Sequence, residues 1–130
     1  MSDEPGFLTV EDILLLHEEL LDRHGGGAGV RDAGALHSAV ATPRATFDGK
    51  FVHEAPFAMA AAYVFHIAQN QPFVDGNKRT GLAAALVFLD LNGVAITDPD
   101  GCLYQAMIDL AEKRLDKAGL ADLLRRLAAG

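Results

Sequence analysis

Between Asn70 and Leu91 the chain passes from a polar loop, Asn70-Gln71-Pro72-Phe73-Val74-Asp75-Gly76-Asn77-Lys78-Arg79-Thr80, straight into an apolar run, Gly81 to Leu91. Pro72 fixes its own φ and pushes the residue before it out of the helical region, so a helix arriving from the N-terminal side must stop near Gln71. Asp75-Gly76-Asn77 then supplies turn chemistry and an N-cap for a second helix. The arriving helix starts around Pro56 and carries Ala58, Met59, Ala62, Tyr63, His66 and Ile67; the departing one runs from about Asn77 to Leu91 and stops at Asn92-Gly93. Both are apolar on most faces. Helices of that kind belong at the centre of a bundle, so two central helices are expected to meet at one polar loop.

The rest of the chain reads as cover for this pair. Thr9 with Asp12 three residues on is a capping-box arrangement, and Val10, Ile13, Leu14, His17, Leu20 and Leu21 share one helical face before His24-Gly25-Gly26-Gly27 ends it. His17, inside that stripe, is expected to be buried with a backbone partner. Asp32 caps a short second helix, with Leu36, Ala39 and Val40 inward and Pro43 closing it. Thr46-Phe47-Asp48-Gly49-Lys50-Phe51-Val52 is a hairpin signal, Asp-Gly suiting a type I′ turn. After an extended piece, Val94-Ala95-Ile96, Asp98-Pro99-Asp100 opens a helix carrying Leu103, Met107 and Leu110, and Asp116 caps a last one with Leu120, Leu123, Leu124 and Leu127 on its stripe. With 130 residues and 50% hydrophobic content rich in Ala and Leu, the expectation is an all-α fold in a single domain spanning 1–130.

Charge and cysteine usage narrow the function classes. A net charge of −7 argues against direct nucleic-acid binding, which calls for a basic face, so any phosphate recognition must be local. Cys102 is the one cysteine and cannot form an internal disulfide, which fits a reducing cytoplasm. No apolar run reaches membrane-spanning length and the acidic start, Met1-Ser2-Asp3-Glu4-Pro5, is unlike a signal peptide; a cytoplasmic protein with no membrane partner is expected.

Each residue type in the central loop has a use in binding a nucleotide polyphosphate. Asp75 can hold Mg²⁺, Gly76 lets the backbone come close, Asn77, Lys78 and the helix amides can donate to phosphate oxygens, and Arg79 offers a bidentate fork. The alternative is a solvated turn with two surface cations.

These residues resemble the signature of the Fic/Doc superfamily, His-x-Phe-x-Asp/Glu-Gly/Ala-Asn-Gly/Lys-Arg, with Phe73, Asp75, Gly76, Asn77, Lys78 and Arg79 in register. Lys78, standing where the adenylylating Fic branch has glycine, and Leu82, where that branch has a second arginine, make the death-on-curing (Doc) branch the nearer likeness. Leu8-Thr9-Val10, Leu16-His17, Gly29-Val30-Arg31-Asp32 and Ala85 to Leu89 extend the resemblance over roughly the whole chain. It implies a Fic/Doc-type helical bundle with a small β-hairpin flap, Phe47-Asp48-Gly49-Lys50-Phe51, that docks a target peptide. It also implies use of Mg-ATP, with Gln71, Asp75, Lys78 and Arg79 at catalytic positions and Asp75 on the metal. Gly76, Asn77, Lys78 and Arg79 would hold phosphate. The implied activity is transfer of the γ-phosphate to a threonine of a translation elongation factor by a toxin restrained by a small antitoxin, whose C-terminal segment folds as a helix on it.

One position departs from the pattern: Gln71 stands where the family has its catalytic histidine. An amide can orient a hydroxyl but does not take its proton near neutrality. Three explanations stay open: a natural, weakened member that still binds nucleotide and antitoxin; a replacement selected or introduced during cloning of a harmful toxin; or a neighbouring base, His53 or His66. A catalytically silent binding module and an adenylyltransferase are the competing functions.

Overall fold

The structure, a computed structural model, describes residues 4–128, and its centre is the expected pair of apolar helices flanking the polar loop. α1 is Val10–His24, α2 Ala33–Ala41, α3 Phe57–Asn70, α4 Asn77–Leu91, α5 Cys102–Ala111 and α6 Lys117–Leu127, with a 3-10 turn at Thr42–Arg44. α3 buries Met59, Tyr63, Val64 and Ile67 with three alanines between, and α4 buries Gly81, Ala84, Ala85, Phe88 and Leu89 against it. The small residues bring the two backbones close: a Cβ on Gly81 would lie 3.1 Å from the Val64 carbonyl oxygen and 3.2 Å from its Cα. Around this pair α6 packs Leu120, Ala121 and Leu124, α2 packs Leu36, Ala39 and Val40, and α1 contributes Ile13, all in one buried apolar cluster. Tyr63 is fully buried, and its hydroxyl accepts the Leu8 N–H at 3.0 Å, so the polar tip is paired.

Local chemistry sets the helix boundaries. Thr9 and Asp12 form the capping box of α1. Asp32 and Asp116 cap α2 and α6 through the Ala35 and Gly119 N–H groups, and Asp98 takes the Cys102 and Leu103 N–H groups at the head of α5. α4 differs from expectation: its N-cap is Gly76, with no side-chain cap, because the Asn77 amide turns back onto Phe73 instead. The two-stranded sheet pairs β1 (Thr46–Phe47) with β2 (Lys50–Phe51) antiparallel, with Thr46 opposite Phe51. Positive φ at Asp48 (53°) and Gly49 (78°) is what a type I′ turn demands. Phe51 docks on Phe7 with ring centroids 5.6 Å apart, while Phe47 is 80% exposed. Beyond α4, Ile96 bridges to Ala128. Among the described residues no helix is long and apolar enough to cross a membrane.

Candidate functional site

The loop between α3 and α4 is held from three directions. α3 ends on Gln71 in the left-handed region (φ 48°, ψ 56°), which reverses the chain so that Pro72 and Phe73 are buried. From α1, the His17 ring stacks on Phe73 at 3.8 Å and 7°, and its Nε2 donates to the Asp75 carbonyl oxygen at 2.8 Å. His17 is therefore buried with a backbone partner, and that partner belongs to the motif. From the segment after α1, the Arg31 and Asp32 N–H groups donate to the Pro72 carbonyl (2.7 and 3.0 Å), and Val74 N–H donates to Gly29 (3.1 Å). The Arg31 guanidinium donates to the Gln71 and Asn70 carbonyls (2.8 and 3.0 Å), where α3 would otherwise end on unpaired acceptors. From within, Asn77 pairs both its amide atoms with the Phe73 N–H and carbonyl (2.9 and 3.0 Å). Gly76, at φ 78°, makes the last turn into α4 in a conformation other residues adopt only with strain.

The result is a rigid entry to α4 whose N-terminal amides no side chain caps, with Lys78 and Arg79 exposed beside them. That end carries the positive pole of the helix dipole and attracts anions. Asn77, expected to donate to phosphate, has its side chain engaged in bracing the loop. The Asp75 carboxylate is exposed and accepts the Gly76 N–H at 2.8 Å and the Gly27 N–H at 3.3 Å, which orients it without burying it.

Beside this entry lies a groove of about 620 Å³. Phe65, Ala68, Gln69, Gln71 and Lys78 form one wall; Met107, Leu110, Ala111, Lys113, Leu115 and Asp116, from α5 and the turn after it, form the other. Among the sequence candidates, Gln71 and Lys78 thus face a common space, while Asp75, Gly76, Asn77 and Arg79 belong to the same loop and helix start but do not line it. Phe47 to Phe51 do not line it either. The opposite wall, Lys113 in particular, escaped sequence reading because nothing in the α5 pattern marks which side faces the motif.

The two histidines considered as substitute bases are engaged elsewhere. Lys117 Nζ, at the start of α6, donates to His53 Nε2 at 2.9 Å and His66 Nε2 at 3.1 Å. Burial, then the Lys117 cation, then His53 push the His66 pKa down to about 4, while burial and Lys117 lower that of His53; burial also lowers Lys117. Neither histidine lines the groove.

Asp75 fits a magnesium ion of the kind that takes one carboxylate from the protein and its other oxygens from phosphate and water. Among the described residues no three His, Cys, Asp or Glu side chains cluster into an all-protein cage.

Residues 7–89 match the Fic/DOC family. The chain is 31% identical over 120 residues to "Protein kinase doc" of Escherichia phage P1, covering 92% of this chain and 94% of that one. It is 47% identical over 72 residues to "Toxin Doc" of Mycolicibacterium smegmatis, covering 55% of each.

Proposed function

Because the chain belongs to the Fic/DOC family, we propose that it is a Doc-type toxin that transfers the γ-phosphate of Mg-ATP to a threonine of a translation elongation factor, slowly for want of a base. The observation that carries this reading is the uncapped start of α4 beside a groove lined by Gln71 and Lys78. Phosphoryl transfer depends mainly on positioning and on neutralising charge spread over the phosphate oxygens. The free amides of α4, Lys78 and Arg79 would hold those oxygens, and Asp75, steadied by the Gly27 and Gly76 N–H groups, would carry the metal. The metal, when bound, neutralises phosphate charge. The bond from the γ-phosphorus to its bridging oxygen breaks, one to the threonine oxygen forms, and the threonine proton must leave. Gln71 can accept a hydrogen bond from that hydroxyl and aim it, but the proton then passes to phosphate or solvent. A positioned base contributes roughly 10²–10⁴-fold, so the missing histidine is expected to slow transfer by that order.

A toxin of this kind works in the cytoplasm, and a small antitoxin with a helix-forming C-terminal segment is its expected partner. The relatives' printed names, a kinase and a toxin, support both halves of the proposal. Engagement of His53 and His66 by Lys117 favours, as second reading, a chain that binds nucleotide and partners with little chemistry. Adenylyl transfer is less favoured, since Lys78 and Leu82 depart from the adenylylating pattern and Leu82 packs on the core rather than facing phosphate.

The test is the intact mass of a purified elongation factor incubated with Mg-ATP and either the chain or its Gln71→His variant. A phosphoryl-sized gain with both, faster with the variant, is the expected result. A gain with the variant alone supports the binding reading, an adenylyl-sized gain overturns the kinase assignment, and none with either overturns the target.

A further inference from the structure

Among the described residues three non-glycine positions have positive φ: Asp48 in the hairpin turn, Gln71 and Lys113. The last two line the same groove, one on each wall. Lys113 (φ 63°) follows the end of α5, its N–H donating to the Leu110 carbonyl, at a position where glycine is the ordinary choice because it adopts this conformation without strain. A side chain kept there against a backbone cost is a pointer to function. Its ammonium has no ion-pair partner among the described residues, and neither has that of Lys78 opposite. The neighbouring Arg114, by contrast, is paired with Asp109. Asp116, the one carboxylate in the lining, is occupied in capping α6. A chain of net charge −7 therefore presents two unpaired lysines to one groove whose remaining lining is largely Phe65, Met107, Leu110 and Leu115.

We propose that Lys113 is a second phosphate-binding residue, gripping the polyphosphate of the bound nucleotide from the wall opposite Lys78, with the flat base against the apolar lining. This rests on the nucleotide reading above but adds a residue outside the stretch, 7–89, that the family match covers. Contacts from both walls would fix the direction in which the phosphates lie. A purely structural role, the cation complementing the dipole of α5, makes the opposite prediction for a glycine substitution.

The test is calorimetric titration of the whole chain with Mg-ATP and with adenosine, on the unmodified protein, Lys113→Gly, Lys113→Asn and Lys78→Ala, alongside thermal unfolding. Glycine and asparagine both tolerate the left-handed conformation, so at least one variant folds as the parent does. The expected result is about a tenfold loss of ATP affinity in both Lys113 variants, the worth of one charge-assisted hydrogen bond, with adenosine binding and the unfolding midpoint undiminished. ATP binding unchanged in the Lys113 variants but weakened in Lys78→Ala overturns the inference and leaves the nucleotide site standing. An equal loss for ATP and adenosine, or a lowered midpoint, assigns Lys113 to the fold and also overturns it. No ATP binding by the unmodified protein removes both.

Discussion

Replacing His17 by phenylalanine tests whether α1 sets the position of the Asp75 carboxylate, the group proposed to carry the metal. The ring is 5% exposed, lies flat on Phe73 at 3.8 Å, and gives its Nε2 proton to the Asp75 carbonyl at 2.8 Å. Phenylalanine keeps an aromatic ring for the stack, is somewhat larger, and removes the donor. A partly buried carbonyl left unpaired costs about 1–3 kcal/mol, and the more apolar ring returns part of that, so a net loss of about 1–2 kcal/mol is expected. His17→Ala also discards the contact with Phe73 and opens a cavity, for about 3–5 kcal/mol. The carboxylate of Asp75 belongs to the residue whose carbonyl is released, so Mg²⁺-dependent nucleotide affinity should fall in His17→Phe although His17 lines no part of the groove. His17→Gln, which keeps a donor but loses the stack, should reverse the order, less stable than the phenylalanine variant and better at binding. Urea unfolding and nucleotide titration with and without Mg²⁺ read both quantities. Wild-type behaviour of His17→Phe in both assays would refute the grip, and lost stability with unchanged affinity would refute its link to the carboxylate.

Two further outcomes concern the frame around the loop. Gly81→Ala places a methyl 3.1–3.2 Å from the Val64 backbone, where nothing flexible can yield. Overpacking of about 1–3 kcal/mol then exceeds the gain in helix propensity of about 1 kcal/mol, and the urea midpoint should fall with the slope unchanged. The second is a pH effect. His66 titrates near 4 when folded, against 6.5 for a free histidine, so between those values the unfolded chain binds more protons and stability drops as pH falls; above 6.5 this contribution is complete and flat. Lys117 donates to both His53 and His66, so Lys117→Met, which removes the cation but not the burial, should weaken the pH dependence of the urea midpoint in this window, and His66→Phe should weaken it further.

What the sequence made legible was local. The proline after α3, the aspartates and threonine that cap α1, α2, α5 and α6, and the Asp48-Gly49 turn each act within a few residues, and the apolar character of α3 and α4 placed them inside. Asn77 shows the limit: an asparagine at a helix start reads as a cap or a phosphate donor, yet its amide pairs with Phe73, one turn back. The contacts that make the loop a site span much longer separations. His17 reaches Asp75 across 58 residues, Arg31 reaches Gln71 across 40, and Lys117 reaches His53 across 64. No periodicity announces such pairings. They follow from how α1, α3 and α6 pack, and the groove's second wall follows with them.

The same packing bears on whether a neighbouring histidine could stand in for the base that the proposed transfer lacks at Gln71. For His53 or His66 to serve, its imidazole would have to leave Lys117, giving up a hydrogen bond and leaving a half-buried ammonium short of an acceptor. His66 has the further handicap of a pKa near 4, which makes it a weak proton acceptor at neutral pH. Substitution of the base from nearby is therefore the least supported explanation. The loop itself is braced by His17, Arg31 and Asn77 through Phe73, Asp75 and the carbonyls of Asn70 and Gln71, and none of these bonds uses the Gln71 side chain. Exchanging that side chain for imidazole changes no brace, and histidine accepts the left-handed backbone at least as readily as glutamine. Gln71→His should accordingly leave the unfolding midpoint where it is and raise the transfer rate by roughly 10²–10⁴-fold, so that any large change in stability would show the side chain to be part of the frame after all.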